Sequence, residues 1–183
     1  MQRDIITLGA SETLDPIHAA WNHEGNMADS GIDLYTEFYA ITDALSAANV
    51  PFAVCGGVAV AIHGYPRFTK DIDLLILPED EQRVLNVAAQ RQFLFEGGRL
   101  PMGEANVCDW EIVRVSKIVG RDLLTLDLLL VGPSIRSVWE SRGTAAFNGR
   151  EIPVVSREGL KRLKLMAGRK QDLLDLEKLG LDS

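Results

Sequence analysis

The stretch from residue 52 to residue 77 constrains the fold more than any other part of the chain. A short apolar run, 52–55, reads as a buried strand. Gly56-Gly57 breaks it, and the small apolar residues of 58–63 suit a closely packed helix. Residues 65–70 form a loop around Pro66. The segment 71–77 then opens with Asp71-Ile72-Asp73, becomes wholly apolar and reads as a second strand, ended by Pro78. Strand, helix and strand packed into so short a piece require a sheet with helices lying against it.

The flanking chain extends this pattern. Asp33 is placed to cap a helix whose apolar residues Leu34, Phe38, Ile41 and Leu45 recur at helical spacing. An amphipathic helix is expected over 79–93. Two further strands, 110–119 and 122–131, are rich in Ile, Val and Leu and meet at Gly120. The order of elements predicts an α/β (α+β) core: a small mixed sheet flanked by helices. Gly132-Pro133-Ser134 marks a boundary. Beyond it come a short helix over 134–141, a hairpin turning at Asn148-Gly149 and two helices, 157–167 and 170–179. Ser156 is the expected N-cap of the first of these. The chain thus divides into an N-terminal extension (1–32), a core (33–132) and a C-terminal helical segment (133–183). Within the extension, Asp15 and Pro16 begin a short helix reaching Trp21, and 24–31 is a loop.

Composition narrows the classes. With 183 residues, 46% apolar and 25% charged, one compact core can form without a disulfide or a metal. Cys55 and Cys108 have no C-x-x-C spacing, so neither a disulfide framework nor a zinc site is expected, and a reducing cytoplasm is the simplest home. No secretory leader is expected from the first residues. The longest nearly uncharged apolar stretch, 50–62, is interrupted by Pro51, Gly56 and Gly57, so no membrane association is expected. The net charge of −7 excludes a protein coated for non-specific nucleic-acid binding. The charge is uneven. Residues 156–170 carry a local net of +5 and leave −12 on the rest.

Asp71 and Asp73 are the sharpest chemical feature. On a strand, residues two apart share a face, so the two carboxylates stand side by side and repel unless a cation or a proton intervenes. Mg²⁺ is commonly held by one or two carboxylates together with substrate phosphates. The plain alternative is a solvated strand edge with two exposed acids. Asp127 lies inside an apolar run, where a carboxylate is costly unless paired or metal-bound. If its strand adjoins that of Asp71 it completes a three-carboxylate site; on an edge strand it simply faces water. Asp122, at the strand start beside Arg121, is a weaker candidate. Gly56-Gly57, at a strand end opening a helix, lets a phosphate approach backbone N–H groups. His63 reads as structural, and His18 and His23 do not make a zinc site. Arg169 and Asp172, three apart, are expected to pair with each other.

Cys55-Gly56-Gly57, thirteen residues, then Asp71-Ile72-Asp73-Leu74, resembles the signature of the polymerase-β-like nucleotidyltransferase superfamily. The strings GGVAVAIHGYPRFTKDIDLLI and SREGLKRLKLMAGRKQDLLDLEKL resemble its small bacterial AbiEii/MenT-like branch, whose members often serve as toxins beside an antitoxin. The resemblance implies a nucleotidyltransferase fold and transfer of a nucleoside monophosphate from an NTP to a hydroxyl, with release of pyrophosphate. It implies that Asp71 and Asp73 bind two Mg²⁺ ions and that Asp127 is the third carboxylate. It implies that Gly56, Gly57 and Lys164 contact the nucleotide, with Arg67 and Thr69 shaping its site. An RNA 3′ end, such as that of a tRNA, is the acceptor favoured by the toxin-like resemblance, with a cognate antitoxin as partner. Two alternatives remain open: transfer to a small hydroxylated molecule such as an aminoglycoside, and a non-catalytic protein of the same fold that binds a nucleotide or a partner.

Overall fold

The structure, a computed structural model, describes residues 33–102 and 110–182. The N-terminal extension with its expected helix, His18, His23 and Cys108 lie outside the described residues.

Asp33 accepts a hydrogen bond from the Tyr35 N–H and starts α1 (Leu34–Ala47), as its place before the apolar periodicity predicts. Phe38, Ile41 and Leu45 form its fully buried stripe. Next come β1 (Ala53–Val54), α2 (Gly56–Ile62), β2 (Asp71–Ile76), a 3₁₀ turn at Pro78–Asp80 and α3 (Glu81–Gln90). They are followed by β3 (Phe95–Met102), β4 (Trp110–Val119), β5 (Asp122–Leu130) and a second 3₁₀ turn, Pro133–Ile135. The chain finishes with α4 (Arg136–Glu140), β6 (Gly143–Phe147), β7 (Arg150–Val154), α5 (Arg157–Ala167) and α6 (Lys170–Lys178).

The strands form one mixed sheet of seven, in the order β3-β4-β5-β2-β1-β7-β6. β2 pairs parallel with β5 and β1 parallel with β7, while the other pairings are antiparallel. The hairpin turns at Asn148 (φ +48°) and Gly149 (φ +72°), the left-handed pair that a two-residue turn requires. Because β7 joins β1 at Val54, the hairpin expected within the C-terminal helical segment adds both its strands to the sheet of the core. Ser156 caps α5 by accepting from the Gly159 N–H, and Gly168 (φ +62°) ends it.

Alternate residues of β4 separate the two helical layers. The Lys117 ammonium reaches Glu37 of α1 at 2.5 Å and the Arg91 carbonyl after α3 at 3.2 Å. Arg114, an odd step away and so on the other face, shares a cavity with Leu160 and Leu163 of α5. Among the described residues no helix is long and apolar enough to cross a membrane.

β3 is the element the sequence did not suggest. Its residues FEGGRLPM carry two glycines and a proline and do not alternate, and all but Met102 are exposed. It is an edge strand held by the ladder to β4, with a register shift between Glu96 and Gly98.

Candidate active site

The parallel register of β2 and β5 sets Asp73 opposite Asp127 and Asp71 opposite Thr125. Asp71, Asp73 and Asp127 therefore share one face of adjacent strands. Asp73 and Asp127 line a cavity of about 230 Å³ roofed by α5.

Gly56 and Gly57 complete the corner. Gly56 has φ +59°, and a Cβ there would stand 1.9 Å from Asp73 Oδ2. At Gly57 a Cβ would stand 2.6 Å from Thr69 Oγ1. The Gly57 N–H approaches the Asp73 carboxylate and acts to lower its pKa. The glycine pair is thus an obligate contact of the second acid, and Thr69 is the residue that packs against it. Gly56→Ala is expected to lose roughly 2–4 kcal/mol of stability, from left-handed strain plus overlap with a half-buried carboxylate. Gly64→Ala, at φ +108° with nothing within 4 Å of the added carbon, meets the strain alone. Urea unfolding of both variants checks this; equal losses would deny the close approach of Gly56 to Asp73.

Asp73 has its pKa raised to about 6, first by burial and then by the charges of Asp127 and Asp71. Asp71 is also raised, by burial and then by Asp127, although Arg114, Arg169 and Lys70 act in the opposite direction. The buried Cys55 thiol is pushed up by burial and then by Asp73 and Asp127. For Asp73 the folded value exceeds the ordinary 3.8. Its carboxyl therefore contributes stability below about pH 4 that is lost as the pH rises through about 6, of order 2–3 kcal/mol in all. In EDTA the melting temperature of the wild type should fall from pH 5 to pH 7.5 more steeply than that of Asp73→Asn. Parallel curves would contradict the shift.

Asp127 differs from the other two acids. Arg114, directly opposite it on β4, donates from Nε to Oδ1 at 2.8 Å and from its terminal nitrogen to Oδ2 at 2.7 Å. This bidentate fork raises the Arg114 pKa, chiefly through the hydrogen bonds to Asp127. Gly97 makes room for it, since a Cβ there would stand 2.6 Å from Arg114 Cγ. Among the described residues no group of three or more His, Cys, Asp or Glu side chains is arranged to hold a metal ion. The site is a pair of acids beside a third that is already matched to a guanidinium. The pair nevertheless fits a divalent cation. Two like-charged carboxyls of raised pKa stand on one strand face, and the Asp73 carboxylate packs against Gly56, in the position that a side chain there would take.

Lys164 lines the same cavity, yet its ammonium is committed elsewhere. It is 4% exposed and donates to Asp172 Oδ1 at 3.0 Å and Asp175 Oδ2 at 2.6 Å. The resemblance assigns it to the nucleotide phosphates, whereas the structure makes it the centre of a buried ion cluster, because a cation so enclosed needs its counter-charges in place. Arg67 belongs to that cluster. It donates to both oxygens of Asp175 at 2.7 and 2.8 Å and ties the 65–70 loop to α6. Burial pushes Asp172 and Asp175 up, but hydrogen bonds from Arg169 and Lys164 on one, and from Arg67, Lys164 and Gln171 on the other, leave both below the ordinary value. Arg169 pairs with Asp172 at 2.7 Å, as its spacing predicts. Its side chain is nonetheless 76% exposed and its charge acts on Asp71 and Asp73, beside those of Arg114 and Lys70 on Asp71. His63 is structural as expected: its Nε2 lies 2.8 Å from the Val155 carbonyl.

No protein-family model matches the chain, and no curated protein matches its sequence. Solved structures do resemble it. A Thermotoga maritima protein assigned as a nucleotidyltransferase aligns at TM-score 0.56 and 17% identity, over 81% of this chain and 93% of the other. The lincosamide antibiotic adenylyltransferase LnuA, with lincomycin bound, aligns at 0.54 and 16%, over 81% and 97%. The antibiotic-resistance factor ANT(2'')-Ia aligns at 0.53 and 17%, over 79% and 80%. The chain therefore has the nucleotidyltransferase fold.

Proposed function

We propose that this chain is a Mg²⁺-dependent nucleotidyltransferase that moves a nucleoside monophosphate from an NTP to a hydroxyl acceptor in the cytoplasm. The observation that carries the reading is the corner where Gly56 abuts Asp73 while Asp71, Asp73 and Asp127 share one face of two parallel strands. The fold, common to adenylyltransferases that act on antibiotics, supports it by analogy.

Asp71 and Asp73 would hold the metal, which when bound neutralises phosphate charge and polarises the reacting phosphoryl group. Gly56 lets the Asp73 carboxylate lie directly against the backbone at the start of α2, since no side chain intervenes. Arg169, exposed beside the two acids, offers the charge-assisted contact to phosphate for which Lys164 is not available. Asp127 receives the proton of the acceptor hydroxyl. The Arg114 fork uses one lone pair on each of its oxygens and orients the rest. The acceptor oxygen bonds to the α-phosphorus as the α–β phosphoanhydride breaks, and pyrophosphate leaves.

A small hydroxylated acceptor is favoured over an RNA 3′ end by the fate of the basic segment. Arg157 donates to the carbonyls of His63 and Leu179, Lys164 is buried, Arg169 pairs with Asp172 and Arg162 donates to Ser137. Four of the six basic residues of the +5 segment thus make internal bonds, which interrupts it as a phosphate track. The toxin role, the tRNA acceptor and the cognate antitoxin rest on the motif resemblance alone. Incubation with each α-labelled NTP, Mg²⁺ and either tRNA or a mixture of small hydroxylated compounds tests the reading. Label should move to a small molecule; label on tRNA would reverse the choice of acceptor.

A further inference from the structure

We infer that the apolar half of the cavity is the acceptor subsite, and that it takes a compact, uncharged hydroxylated molecule with a ring or alkyl body. This rests on the nucleotidyl-transfer reading and names its acceptor class.

The register places two unlike rungs side by side on one face. Arg114, Asp127 and Asp73 face one another across β4, β5 and β2. Two residues further along, Leu100, Ile112 and Leu129 face one another across β3, β4 and β5. These three side chains line the cavity together with Leu163 of α5. A molecule lying against the second rung therefore brings a hydroxyl to Asp127 on the first. Its oxygen bonds to the α-phosphorus, its proton passes to the Asp127 carboxylate and pyrophosphate departs.

Charge sets the class. Six ionisable side chains of Asp, Lys and Arg line the cavity: Asp73, Asp127, Asp172, Arg114, Lys164 and Arg169. Asp127 is matched by Arg114, and Asp172 by Lys164 and Arg169. In the proposed reaction Asp73 is committed to the metal and Arg169 to the nucleotide phosphates. A polycation finds no surplus acid here, and a polyanion finds no surplus base. Size sets the compactness: about 230 Å³ lies just below the range of ~300–1,000 Å³ of common ligand pockets. A body of one or two rings suits such a volume. Leu100 is 37% exposed and Ile112 is only partly covered, so apolar wall is presented to an occupant rather than sealed in the core.

Methyl-labelled protein titrated with phenyl and cyclohexyl β-D-glucoside, with kanamycin and with the trinucleotide CCA provides the test. The Leu100, Ile112 and Leu129 methyl signals should move with a neutral glucoside in the millimolar range and not with the other two probes. Leu100→Lys should weaken glucoside binding at least tenfold. Methyl shifts with kanamycin or CCA would overturn the acceptor class. Shifts with ATP alone would make the cavity the base pocket, and silence with both glucosides would remove the subsite. Binding of Mg²⁺–ATP, read from its ³¹P signals in the same samples, tests the transfer reading separately.

Discussion

Asp73→Asn is expected to lower nucleotidyl transfer by about 1,000-fold or more while raising the melting temperature of the metal-free protein at pH 7.5. The two effects have one cause. Burial and the neighbouring charges of Asp127 and Asp71 hold the Asp73 pKa near 6, so the ionised carboxylate that a cation needs is the form the bare fold disfavours. Asparagine keeps the shape and an oxygen beside the Gly57 N–H but carries no charge for a metal. A gain of roughly 1–2 kcal/mol is expected at pH 7.5. Asp71→Asn should lose activity to a similar degree with a smaller gain in stability, since Arg114, Arg169 and Lys70 already oppose its shift. Calorimetry in EDTA alongside label transfer reads both quantities. A variant that loses activity together with stability would assign Asp73 a structural hydrogen-bonding role instead.

Lys164→Ala is expected to cost about 3–5 kcal/mol of stability, because it leaves two buried carboxylates without their shared cation. Asp172 would retain Arg169, and Asp175 would retain Arg67 and Gln171, but the two acids would face each other across an empty position. Part of the loss should be recovered near pH 4–5, where one of them takes a proton. Urea unfolding at pH 5 and pH 7.5 separates this from a catalytic role. If the variant unfolds like the wild type and only its KM for NTP rises, Lys164 is a phosphate ligand, as the motif resemblance implies.

The parts of the site that were legible in the sequence are those set by local geometry. Gly56-Gly57 and Asp71-Ile72-Asp73 flank one helix and one loop, so a strand–helix–strand unit brings them together with little freedom. Asp127 stood out because an acid inside an apolar run needs a reason. Arg114 did not, since in Trp110–Val119 it reads as an ordinary outward residue of an alternating strand. A signal was present: with a two-residue turn at Gly120 and Arg121, Val119 faces Asp122, and counting back in register puts Arg114 opposite Asp127. The commitment of Lys164 was hidden for a different reason. A basic residue on an amphipathic helix reads as solvated, and only the sharp reversal at Gly168 folds Asp172 and Asp175 back over it. β3 was invisible because its glycines serve Arg114 and the register shift rather than a strand pattern.

Parallel reactions with α-labelled and γ-labelled ATP, CTP, GTP and UTP, each with Mg²⁺ or EDTA and a mixture of neutral glycosides, test nucleotidyl transfer by this chain. Transfer of the α label to an acceptor, with the γ label released as pyrophosphate, dependent on Mg²⁺ and absent in Asp73→Asn, is the predicted result. Transfer of the γ label, or α transfer that persists in EDTA or in Asp73→Asn, would contradict it.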